Sequence, residues 1–330
     1  MLSFFSEPTT VVAIIEVFVG LFLLTKAADA FVDGAVSIAG VAKISPIVVG
    51  AVIVGFGTSA PELLVSGIAA ANGDVDFGVG NIVGSNVANL SLVLGAAALV
   101  VPLLVTKAVV AREAPVSLLA VILFAVFTLG GFSVWEGVVM LAVLVAILAW
   151  IVFGGSDSVE ALEFEDKPMS AAMVQTLIGL VGTVLGAQLM VWGALAIAET
   201  LGVSGGFIGF TLVAIGTSLP ELVTAIAAAR KGEAELILGN LLGSNVFNSL
   251  AVGGLVAVLG AGPIGDELLR SYGIILMVIV AVLAWVFMVG RRKVSKPEAI
   301  VLLTVYVVAI LTISDSGIGE WIRDLVESLG

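Results

Sequence analysis

The chain has 330 residues, of which 60% are apolar and 12% charged, and its formal net charge at pH 7 is −12. This composition excludes an ordinary water-soluble domain and indicates a protein that lies largely in lipid. The chain has no cysteine or histidine, which excludes disulfides, thiol chemistry and the commonest metal ligand, and its acidic balance argues against nucleic acid binding.

Continuous apolar runs follow one another along the chain, and they fit membrane helices rather than the alternating strands of a β-barrel. No basic segment precedes the first run, so a cleaved signal peptide is not expected. The pattern predicts an all-α polytopic membrane protein with ten transmembrane helices, over 11–39, 45–71, 77–101, 115–130, 134–153, 170–200, 205–229, 236–259, 268–290 and 297–313.

With ten helices, the basic residues of the loops lie mostly on one face of the membrane. One face holds Lys43, Lys107, Arg112, Lys167, Arg230, Lys231, Arg291, Arg292, Lys293 and Lys296. The other face holds Arg270 and Arg323, and Lys26 lies inside the first helix. Because basic residues in short loops stay in the cytoplasm, we expect a cell-membrane protein with both termini outside.

An internal repeat relates the two halves. Residues 50–95 align with residues 209–254 without a gap at a constant offset of 159, and 20 of the 46 positions are identical. Five predicted helices per half is an odd number, so the second half must enter the membrane from the opposite side. The sequence therefore predicts two inverted five-helix repeats, an arrangement typical of secondary transporters.

The predicted organisation follows from this repeat. The first repeat covers 1–153 and the second covers 170–313, with an acidic cytoplasmic linker over 154–169 between them. The linker is interpreted as a solvated loop. An amphipathic tail over 314–330 follows, and its apolar positions share one helical face, as in an interfacial helix.

Each repeat places a carboxylate, two hydroxyls and a proline in the middle of a predicted membrane helix, as GTSAPE over 57–62 and GTSLPE over 216–221. A charged side chain at this depth costs about 2.5–3.5 kcal/mol. No lysine or arginine of the neighbouring helices is deep enough to neutralise Glu62 or Glu221. The proline of each motif also frees a backbone carbonyl. A bound cation is therefore expected.

Further oxygen donors recur at every fourth position on the helix that follows each motif, namely Asn81, Ser85 and Asn89 in the first half and Asn240, Ser244 and Asn248 in the second. Carboxylates, hydroxyls, amides and carbonyls are hard donors, and Ca²⁺ takes 6–8 such oxygens in flexible geometry. Na⁺ accepts the same donors. Two carboxylates balance the charge of one divalent ion.

A structural alternative is that these polar residues only join helices to one another, as serine, threonine and asparagine commonly do in membranes. The duplication of the whole set around two midplane glutamates favours an ion site. For Asp29 and Asp33 in the first helix two interpretations stay open, because they would either line an aqueous vestibule or pair with Lys26.

The paired motifs GTSAPE with GNIVGSNVAN, and GTSLPE with GNLLGSNVFN, resemble the two α-repeats of the calcium/cation antiporter superfamily. The closest resemblance is to the sodium/calcium exchanger family, of a prokaryotic type without the large regulatory loop. The resemblance implies that Glu62 and Glu221 are carboxylate ligands in a central cluster of ion sites. It implies the further ligands Thr58, Ser59, Thr217, Ser218, Gly55, Ala214, Ser85, Asn89, Ser244 and Asn248, with Asn81, Asn240 and Asp29 as secondary candidates.

The resemblance also implies a function. Na⁺ would move inward and Ca²⁺ outward by alternating access, with helices 11–39 and 170–200 sliding across the core. Potassium-dependent members carry Asp at the position of Asn248, so a potassium-independent exchanger is expected. The chain would not be an enzyme, would need no cofactor, and would have only its ions and the lipid bilayer as partners. A H⁺/Ca²⁺ antiporter, an exchanger of another divalent cation such as Mg²⁺, and a cation channel stay open as alternatives.

Overall fold

The computed structural model describes residues 10–153, 167–200 and 214–313, and most of these residues are helical, as predicted. The helices are α1 (Thr10–Ala42), α2 (Pro46–Thr58), α3 (Ala60–Ala71), α4 (Val75–Val100), α5 (Val109–Thr128), α6 (Val134–Phe153), α7 (Met169–Thr200), α8 (Ala214–Thr217), α9 (Leu219–Lys231), α10 (Ala234–Leu259), α11 (Leu269–Arg291) and α12 (Lys296–Ile313).

Two of the predicted helices are broken. The helix expected over 45–71 divides into α2 and α3, and the described part of the helix expected over 205–229 divides into α8 and α9. The other boundaries agree with the prediction to within a few residues, except that α5 begins six residues before 115. There a π-helical turn over Val109–Glu113 carries the helix past Pro115.

Membrane crossing is supported by the length and apolarity of the helices. Among the described residues, six helices are long and apolar enough to cross a bilayer, and the bent pair of α2 and α3 would make a seventh. These six are α1, α4, α5, α7, α10 and α11. The chain is therefore a multi-span membrane protein, while ten crossings in two inverted repeats stay a prediction.

The first helix of each predicted half packs closely against the other. The α-carbon of Gly34 lies so near α7 that a Cβ atom would come within 2.5 Å of the Thr176 hydroxyl. At Gly186, a Cβ atom would come within 2.5 Å of the Leu24 backbone nitrogen. Only glycine permits this approach, so the backbones of α1 and α7 are in direct contact along their length.

The remaining helices interleave elements of both halves. Helix α10 packs along α2 so closely that a Cβ atom on Gly243 would lie 2.5 Å from the Ala51 backbone. Buried apolar side chains from both halves, including Ile82, Leu94 and Leu241, form a large continuous cluster. Residues far apart in the chain are thus fixed against each other around the broken helices.

Loops that the sequence places on one face pair with one another. Strand β1 (Leu103–Leu104) pairs antiparallel with β2 (Lys293–Val294), which joins two loops of the predicted cytoplasmic face. On the opposite predicted face, Phe132 forms an isolated bridge with Gly262. These pairings agree with the predicted grouping of the loops, although which face is cytoplasmic stays a prediction.

Three predicted segments lie outside the described residues, wholly or in part. These are the amphipathic tail over 314–330, most of the acidic linker over 154–169, and the start of the helix expected over 205–229. Their predicted structures are neither supported nor opposed by the fold.

Candidate functional site

The two broken helices have matching geometry at their breaks. Ser59, between α2 and α3, has φ −86° and ψ 6°, and Ser218, between α8 and α9, has φ −90° and ψ 4°. A proline lies in the first turn of the helix that follows each serine. Because this proline has no N–H to donate, the regular helical hydrogen bonding is interrupted here. The axes of α2 and α3 differ by 45°.

The glutamates of the two motifs lie in the first turn after these breaks and are fully buried, with 0% exposure for both Glu62 and Glu221. Among the described residues, the ion pairs are Arg112 with Glu113, Lys231 with Asp33 and Arg291 with Glu298. Neither Glu62 nor Glu221 has a basic partner there. Because burying an unpaired charge is strongly unfavourable, a cation or a proton is needed to neutralise the two carboxylates.

Each glutamate has one hydrogen-bonded oxygen and one free oxygen. The Ser85 hydroxyl lies 3.4 Å from Glu62 Oε1, and the Ser59 hydroxyl lies 3.1 Å from Glu221 Oε1. The Oε2 atom of each glutamate is buried without a hydrogen-bond partner. Ser59 belongs to the first half and Glu221 to the second, so the two halves build the site together.

A second pair of contacts links the halves symmetrically. The Thr58 hydroxyl lies 3.3 Å from Asn240 Oδ1, and the Thr217 hydroxyl lies 3.4 Å from Asn81 Oδ1. Thr58 and Thr217 are equivalent in the repeat, as are Asn81 and Asn240, because both pairs are separated by 159 positions. Each broken helix is therefore held by the intact helix of the opposite half.

The asparagines near the breaks have further unpartnered atoms. Asn89 donates its amide to Asn245 Oδ1 at 3.1 Å, which leaves Asn89 Oδ1 free. Both amide atoms of the fully buried Asn248 lack a partner, as does the hydroxyl of Ser218. The oxygens among these atoms, like the free glutamate oxygens, are hard donors of the type that Ca²⁺ and Na⁺ prefer.

Three of the predicted ligands, Gly55, Ala214 and Asp29, are not shown with a free oxygen at the site. The Gly55 carbonyl accepts from the Ser59 N–H and from the Ser244 hydroxyl, both at 3.2 Å. Of Ala214 the structure describes the backbone, at the first position of α8. Asp29 is on α1, where its carbonyl accepts from Lys231 at 2.9 Å. That these three residues bind an ion therefore stays a prediction.

The sequence left two interpretations of Asp29 and Asp33 open, an aqueous vestibule or pairing with Lys26, and the structure bears on the second. Asp33 pairs with Lys231 of α9 at 2.7 Å, a partner that the sequence did not suggest. Lys26, the partner considered from the sequence, takes no part in the ion pairs of the described residues.

Several polar residues around the site were missed by sequence reasoning. Ser66 accepts from the Asn81 amide at 2.9 Å, and Asn86 donates to the Ser249 hydroxyl at 3.0 Å. Asn245 donates to the Asn86 carbonyl at 3.4 Å. Asn86 and Asn245 are identical, equivalent positions of the repeat, and this duplication was the available signal. They were overlooked because they do not belong to the two sets of oxygen donors that recur at every fourth position, Asn81 to Asn89 and Asn240 to Asn248.

Comparison with known proteins gives the family of the chain. A family model described as "Sodium/calcium exchanger protein" matches residues 12–153 and 171–314, which is most of the chain. The chain belongs to the sodium/calcium exchanger family. Members of this family are transporters, so a membrane exchanger of cations is the general function that this membership supports.

Two curated relatives of this exchanger match over nearly their whole length. The chain is 38% identical to "Putative antiporter CaxA" of Alkalimonas amylolytica over 308 residues, covering 90% of this chain and 97% of the relative. It is 28% identical to "Sodium/calcium exchanger MaX1" of Methanosarcina acetivorans over 337 residues, covering 89% of this chain and 96% of the relative.

The fold of this exchanger is also similar to that of a solved structure. The sodium-calcium exchanger NCX_Mj, in a crystal soaked with 10 mM Na⁺ and zero Ca²⁺, superposes with a TM-score of 0.83 at 35% sequence identity. The match covers 93% of this chain and 100% of that chain. The architecture of the membrane exchanger thus extends over almost the entire protein.

Proposed function

We propose that this protein is a secondary active antiporter that moves Na⁺ inward and Ca²⁺ outward by alternating access at the site of Glu62 and Glu221. One observation carries the proposal. Two fully buried carboxylates each keep an oxygen without a hydrogen-bond partner, and neither has a basic partner among the described residues. A bound cation would supply the missing charge and accept the free oxygens as ligands.

The charge of the site suggests how the two ions compete. One Ca²⁺ balances two ionised glutamates, and so do two Na⁺ ions that share the same oxygens. Ions that need the same carboxylates cannot be bound together, so the arrival of one favours the release of the other. If more than two Na⁺ enter per Ca²⁺, each net charge moved couples to about 2.3 kcal/mol per 100 mV of membrane potential.

Potassium is not expected to take part in the exchange. The neutral Asn248 contributes an amide in place of a third carboxylate, so Glu62 and Glu221 are the acidic groups of the proposed site. One Ca²⁺ alone balances these two carboxylates, so no negative charge remains at the site to hold a K⁺ together with it. We therefore propose potassium-independent exchange.

The proposed topology places the protein in the cell membrane with ten crossings and both termini outside. The basic residues that flank the loops support it, because they concentrate on one face. The inverted repeat and the matching breaks at Ser59 and Ser218 support alternating access around a shared site. The names of the relatives, which include a sodium/calcium exchanger, support Na⁺ as the driving ion.

A H⁺/Ca²⁺ antiporter is the second candidate. The free Oε2 atoms of Glu62 and Glu221 favour it, because a buried carboxylate without a basic partner also satisfies its charge by taking a proton. Protons and Ca²⁺ would then compete for the same two groups. An exchanger of another divalent cation would use the same donors, although Mg²⁺ demands a stricter octahedral geometry than this flexible set provides.

Transport by the purified protein in liposomes decides between these functions. We expect uptake of radioactive Ca²⁺ into Na⁺-loaded liposomes when Na⁺ is absent outside, and the same uptake when K⁺ is omitted on both sides. Liposomes with equal Na⁺ on both sides, with or without a pH gradient, serve as the control. Uptake that follows the pH gradient and ignores Na⁺ would replace the sodium assignment with proton coupling. Strict dependence on K⁺ would refute the potassium claim alone.

A further inference from the structure

An ion pair ties the first helix to the end of the broken helix in the second half. Lys231 Nζ lies 2.7 Å from Asp33 Oδ1 and donates to the backbone carbonyl of Asp29 at 2.9 Å. Lys231 ends α9, and the two aspartates lie on α1, about 200 positions away. We call this contact, formed by Lys231 with Asp33 and the Asp29 carbonyl, the latch.

The repeat has no equivalent of the latch at the opposite end. With the offset of 159, Asp33 corresponds to Trp192 and Lys231 corresponds to Asn72. A tryptophan and an asparagine cannot form an ion pair. Trp192 is 56% exposed and Asn72 is also exposed. The latch is therefore an asymmetry between two otherwise related ends of the protein.

This asymmetry has a consequence for alternating access. When two inverted repeats exchange their conformations, a contact made between the halves at one end is replaced by the equivalent contact at the other end. With identical halves, the two states would have equal free energy. An ion pair that forms in only one state lowers the free energy of that state.

We infer that the latch biases the exchanger toward the conformation in which α1 contacts the Lys231 end of α9, so that this end of the transport path is closed. The inference rests on the proposed exchange by alternating access. In the proposed topology the Lys231 end is cytoplasmic, and the favoured state is the one that opens outward.

The size of the bias follows from the environment of the pair. The side chains of Lys231 and Asp33 are 29% and 54% exposed, so solvent and salt screen their attraction. A partly exposed pair of this kind changes a two-state equilibrium by about two- to fivefold. Glu233 is a second carboxylate near Lys231. Burial raises the pKa of Glu233 and Lys231 opposes that rise, so Glu233 is the group that must be controlled for.

Apparent affinities measured from the two sides test the latch directly. Each apparent dissociation constant equals the intrinsic constant divided by the population that opens to that side. The ratio of the extracellular to the cytoplasmic half-saturating Na⁺ concentration therefore reports the equilibrium between the two states. Right-side-out and inside-out membrane vesicles that contain the full chain give the two values from Na⁺-dependent Ca²⁺ exchange.

Loss of the latch should move the two affinities in opposite directions. For Lys231→Gln and for Asp33→Asn, we expect the ratio to rise about two- to fivefold, with weaker extracellular and stronger cytoplasmic Na⁺ activation. A general folding defect would lower activity on both sides and leave the ratio unchanged. Lys231→Arg keeps the charge and Glu233→Gln removes only the neighbour, so both should retain the wild-type ratio.

Two double variants extend the test. Asp33→Lys combined with Lys231→Asp restores the pair with reversed charges and should bring the ratio back toward the wild-type value. Asn72→Lys combined with Trp192→Asp would build an equivalent pair at the opposite end and should shift the ratio in the same direction as loss of the latch.

The outcomes separate this inference from the proposed function. An unchanged ratio in both Lys231→Gln and Asp33→Asn, in vesicles where wild-type exchange is robust, overturns the latch and leaves the exchanger intact. Absence of Na⁺-dependent exchange in the wild-type protein instead refutes the proposed function, on which the inference depends. A ratio that rises in the single variants and recovers in the charge-reversed double variant supports the latch.

Discussion

The hydroxyl of Ser59 lies 3.1 Å from Glu221 Oε1, although the two residues are 162 positions apart in the chain. Ser59 sits at the break in the helix of the first half, and Glu221 follows the equivalent break in the second. One serine therefore orients the carboxylate that belongs to the other repeat. The groups of the candidate site therefore come from both halves, and the surroundings of Glu221 depend on how the halves are packed together.

The first prediction concerns the two carboxylates. Glu62→Gln and Glu221→Gln should each reduce Na⁺-dependent Ca²⁺ exchange at least tenfold, because each removes half of the charge that balances a divalent ion. Folding should persist, since a neutral amide is less costly to bury than an unpaired carboxylate. Glu267→Gln, at an exposed position, is the matched control and should exchange normally. Full exchange by either buried variant in the liposome assay would show that the ions bind elsewhere.

A second prediction addresses the contact between Thr58 and Asn240. Thr58→Val and Asn240→Leu should each weaken Na⁺ activation by about two- to tenfold, since each removes a buried hydrogen bond worth about 0.5–1.5 kcal/mol. Because both changes break the same contact, the double variant should be less impaired than the product of the single effects. Multiplicative effects on the half-saturating Na⁺ concentration would mean that the two residues act independently.

The third prediction separates ion binding from stability in two neighbouring asparagines. The amide of Asn248 makes no hydrogen bond, so Asn248→Ala should weaken Ca²⁺ activation about fivefold with little change in thermal stability. Asn245 accepts from Asn89 and donates to the Asn86 carbonyl. Asn245→Ala should therefore destabilise the protein by about 1–3 kcal/mol, since it leaves buried polar groups without partners.

Thermal unfolding in detergent and Ca²⁺ titration of exchange measure these two quantities on the same preparations. A large drop in the melting temperature of Asn248→Ala, with unaltered Ca²⁺ activation, would contradict the assignment of Asn248 as an ion ligand. Equal melting temperatures for Asn245→Ala and the wild type would contradict the structural role of Asn245.

The fourth prediction tests the close packing of α10 against α2. A Cβ atom on Gly239 would overlap the carbonyl oxygen of Ile47, so Gly239→Ala should destabilise the protein by about 1–3 kcal/mol. Gly290 is also helical, and a Cβ atom there meets nothing within 4 Å among the described residues. Gly290→Ala should be neutral or slightly stabilising, because alanine is the better helix former. Equal melting temperatures for the two variants would argue against this packing.

Much of the fold was accessible from the sequence, because membrane helices are selected by length and apolarity alone. The duplicated GTSAPE and GTSLPE motifs also indicate where a backbone carbonyl loses its hydrogen-bond donor, since proline has no N–H whatever its surroundings. The structure divides the helices at Ser59 and Ser218, two residues before these prolines. Local rules were sufficient for these features.

The contacts between the two halves could not be predicted from the sequence. The sequence places Ser59 in the same motif as Glu62, whereas the structure pairs the Ser59 hydroxyl with Glu221. It suggested Lys26 as a partner for Asp33, whereas the structure supplies Lys231. Periodicity describes one helix at a time, so it cannot state which face of a distant helix will be adjacent.

The residue types that bind a hard cation, their duplication and their depth in the membrane are properties of the chain itself, and they point to an ion site before any packing is known. Which oxygens are occupied by neighbours and which stay free depends on packing. Gly55 illustrates this difference, because the resemblance implies that it is an ion ligand, whereas in the structure its carbonyl accepts from Ser244 of the opposite half. Helix-to-helix contacts are set by the close approach of whole surfaces, and that information is spread over both repeats.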